Sequence, residues 1–345
     1  MLYATTRGKH DVVTAYRATH NDCYGDGGLF VPFRMPQLNE ARIASMASAS
    51  QSQIIADILN QFLGCRLRDL DVEYLLGRSA VQTKSVGRRL VVAQMWHFSG
   101  AEISWAVRRI SNHIRGGERR YAPSNWMEIV VRIAFLFATY GSLLSSGEIR
   151  SCDRLDVAVA TGDFAMPMAV WYARQMGLPI GNIVCGCNAN GGFWDLLNRG
   201  EFSTADVLAH TLTPDADIVV PRNLERLVCA TLGVDETLRY LQCCSKGRNY
   251  VLPPEALNRL SEGMFAAVIS DSRVSSIIHG VYQTSGHILG PYGALAYGSL
   301  LDYRAVTGYS STALLIEEHS PLRDEQTVAG IVRLNETELR NTIKK

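Results

Sequence analysis

The sequence predicts an α/β protein built on a mostly parallel sheet with helices packed on its faces. Two patterns and the composition carry that expectation. Residues 156–186 read as strand, tight turn, helix and strand, which is a βαβ unit whose connection should be right-handed. Two helical patterns precede it, over 54–63 and 126–144. The 345 residues are 47% hydrophobic and 19% charged, enough apolar material for a large core.

The elements follow in chain order. The first ~35 residues are rich in turn signals, with Asp26-Gly27-Gly28 ahead of Leu29-Phe30-Val31-Pro32. Ile54, Ile55, Ile58, Leu59, Phe62 and Leu63 share one helical face, and Gly64 marks the stop. Leu90-Val91-Val92-Ala93 reads as a short buried strand. Residues 108–122 carry Arg108, Arg109, Arg115, Arg119 and Arg120 and read as a solvated surface connection. Trp126 to Leu144 reads as an internal helix. Asp156–Ala160 is a strand, Thr161-Gly162-Asp163-Phe164 a turn, and Ala165–Met176 a helix with Pro167 in its first turn and Gly177 at its end. Ile183-Val184-Cys185 closes the unit. Free N–H groups at that helix start would suit an anion, although plain turn chemistry explains the same residues.

Composition narrows the function. Basic and acidic residues number 34 and 33, so no global basic excess points to nucleic acid. No basic and apolar leader opens the chain, and the apolar run 133–144 is shorter than the ~20 residues that span a bilayer. The expectation is a cytoplasmic protein with no membrane partner. Its eight cysteines are expected as free thiols, because Cys185-x-Cys187 and Cys243-Cys244 lack the spacing of a zinc site.

Several segments, in order, resemble threonine synthase, a family of fold-type-II pyridoxal-phosphate (PLP) enzymes. Thr6-Arg7-Gly8 and Asp26-Gly27-Gly28-Leu29-Phe30-Val31-Pro32 resemble the family's opening STRG…DGGLFVP. Ser124-Asn125-Trp126 resembles SINW. Thr161-Gly162-Asp163-Phe164-Ala165 resembles TGNFG, Met176-Gly177-Leu178-Pro179-Ile180 is MGLPI unchanged, and Asn223-Leu224-Glu225-Arg226-Leu227 resembles SNLERLL. The resemblance covers most of 1–105 and 124–335. It implies the three-layer, mostly parallel fold of these enzymes (tryptophan synthase β-like). It implies PLP as cofactor and conversion of O-phosphohomoserine and water to threonine and phosphate.

The departures from the family pattern fall on the chemistry. The lysine that binds PLP lies in a segment like FHGPT-x-AFKD; the matching stretch here runs from Trp96 through His97 to Trp105, with Ser104 in the lysine's place. A serine hydroxyl cannot form an imine. The five lysines, Lys9, Lys84, Lys246, Lys344 and Lys345, all lie outside segments that resemble the active site. Positions 105 and 125 lie only 20 apart, and no SGDTG loop falls between them, so the small cofactor-closing subdomain is expected to be reduced or missing. The chain then divides into a 1–105 lobe, a shortened 106–124 connection and a 125–345 α/β domain. In the phosphate turn, Asp163 replaces asparagine, a like charge beside phosphate, and Ala165 replaces glycine, a Cβ where backbone must approach an anion. Glu318 occupies the position that meets the pyridine nitrogen and is expected to be incidental.

These losses point to a pseudoenzyme: a scaffold without covalent PLP that binds a small ligand, or a protein partner at surface the lost subdomain exposes. The alternatives are an active threonine synthase or a new activity in the remodelled cleft. His97 reads as a satisfied buried histidine or a pocket residue. Asp163, Glu317, Glu318 and His319 read as a new acid/base or metal site or as ordinary loop ends.

Overall fold

A computed structural model describes residues 1–8, 12–87, 89–96, 102–116 and 122–344. Its frame is a six-stranded sheet of β1 (Gln82–Ser85), β2 (Leu90–Gln94), β3 (Leu155–Ala160), β4 (Ile180–Cys187), β5 (Met264–Val268) and β6 (Ala313–Glu317). The strands lie in the order β5-β4-β3-β6-β2-β1, and all neighbours are parallel except β1 on β2. Strand β6, last in sequence, slots between β2 and β3.

Alternation along the strands explains the layers. Val91, Ala93, Val157, Val159, Ile183, Cys185, Leu314 and Ile316 join one apolar cluster; Leu90, Val92, Ala158, Val184, Ala313 and Leu315 join a second on the opposite face. Both sides are covered, so these strands read as unbroken apolar runs instead of alternating patterns. On the first face lie α1 (Gln51–Leu63), α3 (Asn125–Ser145), α4 (Ala165–Gln175) and α5 (Leu224–Leu232); on the second lie α6 (Asp271–Ser285) and α7 (Pro291–Thr307). The remaining helix used below is α2 (Ile103–Ile114).

The helices start where side chains supply caps. Ser50 Oγ accepts from Gln53 N at 3.1 Å while Gln53 Oε1 accepts from Ser50 N at 2.9 Å, a capping box that begins α1. Ser124 Oγ accepts from Met127 N at the start of α3. α3 is long and apolar enough to cross a membrane, but most of it is buried against α1, α4 and the sheet, as a core helix is. Gly141 lets α1 lie close, since a Cβ there would strike Ile54 Cδ1.

The βαβ unit forms as read: β3 and β4 are adjacent and parallel, joined through α4. Gly177 ends α4 at φ 104°, where a Cβ would strike Leu38 O at 2.6 Å. The arginine-rich connection differs from expectation. Ile103, Ala106, Val107 and Ile110 are buried at helical spacing, so residues through 114 are helix. Arg115 is buried and donates to Thr19 O at 2.7 Å and Ala122 O at 3.0 Å; its stem and charge serve packing, not solvation. Arg119 and Arg120 lie outside the described residues. Among the described residues, 106–124 contribute no strand. Strands β1 and β2, from within 1–105, complete the sheet carried by 125–345, so the two lobes share one frame.

Candidate functional site

The cleft opens at the carboxyl ends of β3 and β6, where parallel sheets present loops and helix starts. Strand β3 ends at Ala160 and delivers Thr161, Gly162 and Asp163; β6 delivers Glu318 and His319; α2 brings Glu102 and Ser104; α3 brings Arg132; and α7 brings Tyr292. Together with Asp215 they line a cavity of about 280 Å³. Ser104, Thr161, Gly162, Asp163 and Glu318 therefore converge on one place. Phe164 and Ala165 are buried behind it. His97 lies outside the described residues. Lys84, Lys246 and Lys344, the described lysines, do not line the cavity.

The turn after β3 is held on every side. Thr161 donates twice to Gly186 O, from its amide at 3.0 Å and its hydroxyl at 3.2 Å. Phe164 adopts φ 70°, a region costly for a side-chain-bearing residue, and its ring is fixed edge-on to Phe193 at 4.5 Å. That twist presents the start of α4 to the cleft, but its Ala165 N–H is already taken. It donates to Asp163 Oδ1 at 2.9 Å. Asp163 Oδ2 accepts from the Asn223 amide at 3.1 Å, and Asp163 O accepts from Asn223 N at 3.0 Å. The chain's own carboxylate stands where an anion would meet the helix start.

Glu318 is not incidental. Its Oε1 accepts from Arg132 Nε at 2.7 Å, and Arg132 Nη1 donates to Glu128 Oε2 at 2.6 Å and to Glu128 O at 2.8 Å. Arg132 is only 12% exposed. Burial would pull its pKa down, yet Glu318, Glu128 and nearby Asp163 reverse that and hold it above the ordinary arginine value. The guanidinium is a permanent part of the cleft floor. Arg132 is legible only in hindsight: one arginine in an otherwise apolar helix, with Glu128 one turn before it.

A second ionic group closes the rim. Glu102 Oε1 lies 3.3 Å from His319 Nδ1 and 3.4 Å from Arg323 Nη1, and Arg323 Nη2 reaches Asp215 Oδ2 at 2.6 Å. Asp215 N donates to Tyr292 Oη at 2.9 Å. The His319 hydrogen bond, opposed by burial and helped by the charges of His319 and Arg323, holds the Glu102 carboxyl below its ordinary pKa. Four carboxylates line the cavity, Glu102, Asp163, Asp215 and Glu318; Arg132 pairs with Glu318 at the floor, while at the rim Arg323 pairs with both Glu102 and Asp215 and His319 with Glu102. The suggested acid cluster is only partly assembled. Asp163, Glu318 and His319 face the cleft, but Glu317 alternates to the opposite face, where Gly290 N donates to it at 3.4 Å and His287 Nε2 stands 3.6 Å away. No metal-binding group of three or more His, Cys, Asp or Glu occurs among the described residues.

Comparison with known proteins agrees with this architecture. Residues 2–80 match the family model described as the threonine synthase N terminus. Human threonine synthase-like 1 is 28% identical over 175 residues, 50% of this chain and 24% of its own length. Rat threonine synthase-like 2 is 28% identical over 174 residues, 50% of this chain and 36% of its own. The matched region thus spans a quarter to about a third of these curated relatives. The crystal structure of PLP-bound threonine synthase from Brucella melitensis superposes with a TM-score of 0.83 at 16% identity, covering 100% of this chain and 95% of that one. The yeast threonine synthase structure gives 0.81 at 16% identity, covering 96% and 90%.

Proposed function

For a chain with a threonine synthase N-terminal region and the threonine synthase fold throughout, we propose a cytoplasmic pseudoenzyme: a ligand-binding scaffold that does not hold PLP covalently. The supporting observation is that both ends of the expected cofactor position are engaged by the chain itself. At the phosphate end, Asp163 accepts the Ala165 N–H. At the pyridine end, Arg132 engages Glu318. Ser104 lines the same cavity and carries no amine, and Asp163 sets a like charge against a phosphate dianion. The residues present do not fit PLP. What they fit is a small polar ligand, held by hydroxyls and carboxylates in a cavity just under the size common for such sites.

The test is PLP titration and borohydride trapping on the purified full chain. No visible band near ~410–430 nm and no trapped adduct are expected, because the imine needs a lysine. PLP affinity should rise from wild type through Ser104→Lys to Ser104→Lys with Asp163→Asn and Ala165→Gly. Each step removes a different obstacle: the missing amine, the like charge, the Cβ. Trapped PLP on the wild type, or threonine and phosphate formed from O-phosphohomoserine, would overturn the reading.

A further inference from the structure

At the opposite end of the sheet lies a larger groove, of about 950 Å³. It runs past the amino-terminal ends of β3, β4 and β5. The length of β3, six residues, sets it roughly 20 Å from the cleft at ~3.3 Å per residue. Arg154, Arg174, Arg259 and Trp171 line it. We propose that this groove is a second binding site, for a small phosphorylated ligand that carries a flat ring, the chemistry of a nucleoside diphosphate.

Three features support that assignment. Arg174 is fixed in place: Nη1 donates to Gly263 O at 3.0 Å and Nη2 to Glu262 O at 3.2 Å. These partners are neutral carbonyls, and no carboxylate lies within ion-pair distance among the described residues. Burial correspondingly pulls the Arg174 pKa below the ordinary value, only partly offset by the Glu262 charge. An anion entering the groove would supply the missing countercharge to a guanidinium already oriented, so little ordering entropy is lost.

The side chains of Arg154 and Arg259 are exposed and make no hydrogen bond or ion pair among the described residues. They can turn toward a phosphate without breaking a side-chain hydrogen bond, although Arg259 also lends its charge to Glu236. Trp171 is half-buried, with its ring edge-on to Tyr172 at 5.4 Å, and so supplies a fixed aromatic wall beside the cations. The charge balance also bounds the ligand's size. Glu40 and Glu262 share the lining, so three arginines against two glutamates leave a single net positive charge. Glu262 stands beside Arg174, so the lining suits a ligand with a few phosphate charges; a polyanion such as nucleic acid would meet Glu40 as well.

The test is calorimetric titration of the full chain with ADP, pyrophosphate and adenosine at low salt. ADP should bind once per chain, more tightly than either fragment. Arg154→Gln with Arg259→Gln should weaken ADP about tenfold or more, because charge-assisted contacts are lost. Both side chains are exposed and form no side-chain hydrogen bond or ion pair among the described residues, and Arg259 acts on Glu236 only at a distance, so thermal unfolding should move little, which separates lost binding from lost folding. Trp171→Leu should weaken ADP by roughly tenfold, the scale of one ring stack. Absence of saturable ADP binding at millimolar concentration would overturn the proposal. So would wild-type affinity in the double-arginine variant, or pyrophosphate or adenosine binding as tightly as ADP.

Discussion

Two regions meet at the turn after β3, and they differ in what the family pattern preserves. Behind the turn, Arg226 is fully buried. Its Nε donates to Phe30 O at 3.0 Å, and its Nη1 donates to the side-chain oxygens of Asn125 and Asn223. Each partner comes from a segment that resembles threonine synthase: GGLF, SNW and NLER. Nearby, Trp126 Nε1 donates to Tyr3 Oη, and Thr6 donates to Glu225. In front of the turn, the cleft is altered at Ser104, Asp163 and Glu318. Asn223 belongs to both regions, bonding Arg226 on one side and Asp163 on the other. The comparison teaches that most of the retained motifs build a scaffold. Their presence argues for the fold and not for the reaction.

The comparison breaks most visibly at Arg226. Arg226→Met leaves Phe30 O, Asn125 and Asn223 without their donor in a dry interior. Each orphaned group costs about 1–3 kcal/mol. Part is offset because burial outweighs the raising effects of Tyr172, Glu225 and Asp163 and lowers the Arg226 pKa to about 10, the sign of a charge that is costly to bury. A net loss of about 3–5 kcal/mol is expected, read as a drop in urea midpoint. A loss under about 1 kcal/mol would mean that the motif cluster does not hold the scaffold.

In front of the turn the corresponding change is Arg132→Leu. It strands Glu318 and Glu128, which are less buried than the partners of Arg226, so the expected loss is smaller, about 2–3 kcal/mol. Adding Glu318→Leu should recover about 1 kcal/mol or more of that loss. Strictly additive losses would show that the pair is not coupled and that the cleft floor is not fixed by it. Asp163→Asn ranks below both. An asparagine carbonyl can still accept the Ala165 N–H, but its NH2 then faces the Asn223 amide, whose oxygen is held by Arg226, so one hydrogen bond is lost and a cost of about 1–2 kcal/mol is expected, while the like charge facing any anion disappears.

Much of this division is legible in the sequence, for physical reasons that differ by region. The βαβ unit, α1 and α3 follow from apolar periodicity, which tertiary packing confirms because both sheet faces are covered. The turn Thr161–Ala165 is legible from its glycine and its place before a helix. Pairing across distance is not. Arg132 and Glu318 stand 186 positions apart, and only the slotting of β6 beside β3 brings them together. The role of Glu102 is hidden for the same reason, since its partners His319 and Arg323 arrive from the far end of the chain. The burial of Arg115 is not legible either, because charge density suggests solvent, whereas its carbonyl partners, Thr19 in the short helix Ala15–His20 and Ala122, are brought to it only by the fold.

The smallest effect tests whether the cleft rim is a working ionic closure or an incidental contact. Glu102 is held below the ordinary glutamate pKa first by its His319 hydrogen bond, against the opposing effect of burial. A carboxyl depressed in the folded state stabilises it fully above the unfolded value, ~4.3. That contribution fades as pH falls through the folded value, because the unfolded chain binds its proton first. Wild type should therefore lose more stability than Glu102→Gln between pH 6 and about pH 3.5. The Glu102 side chain is 29% exposed, so solvent screening keeps the difference under about 1 kcal/mol. Urea midpoints for both proteins across that range give the measurement. Parallel curves would show that the rim contributes nothing to the fold and that the cleft stands open on the strength of α2 and the turn alone.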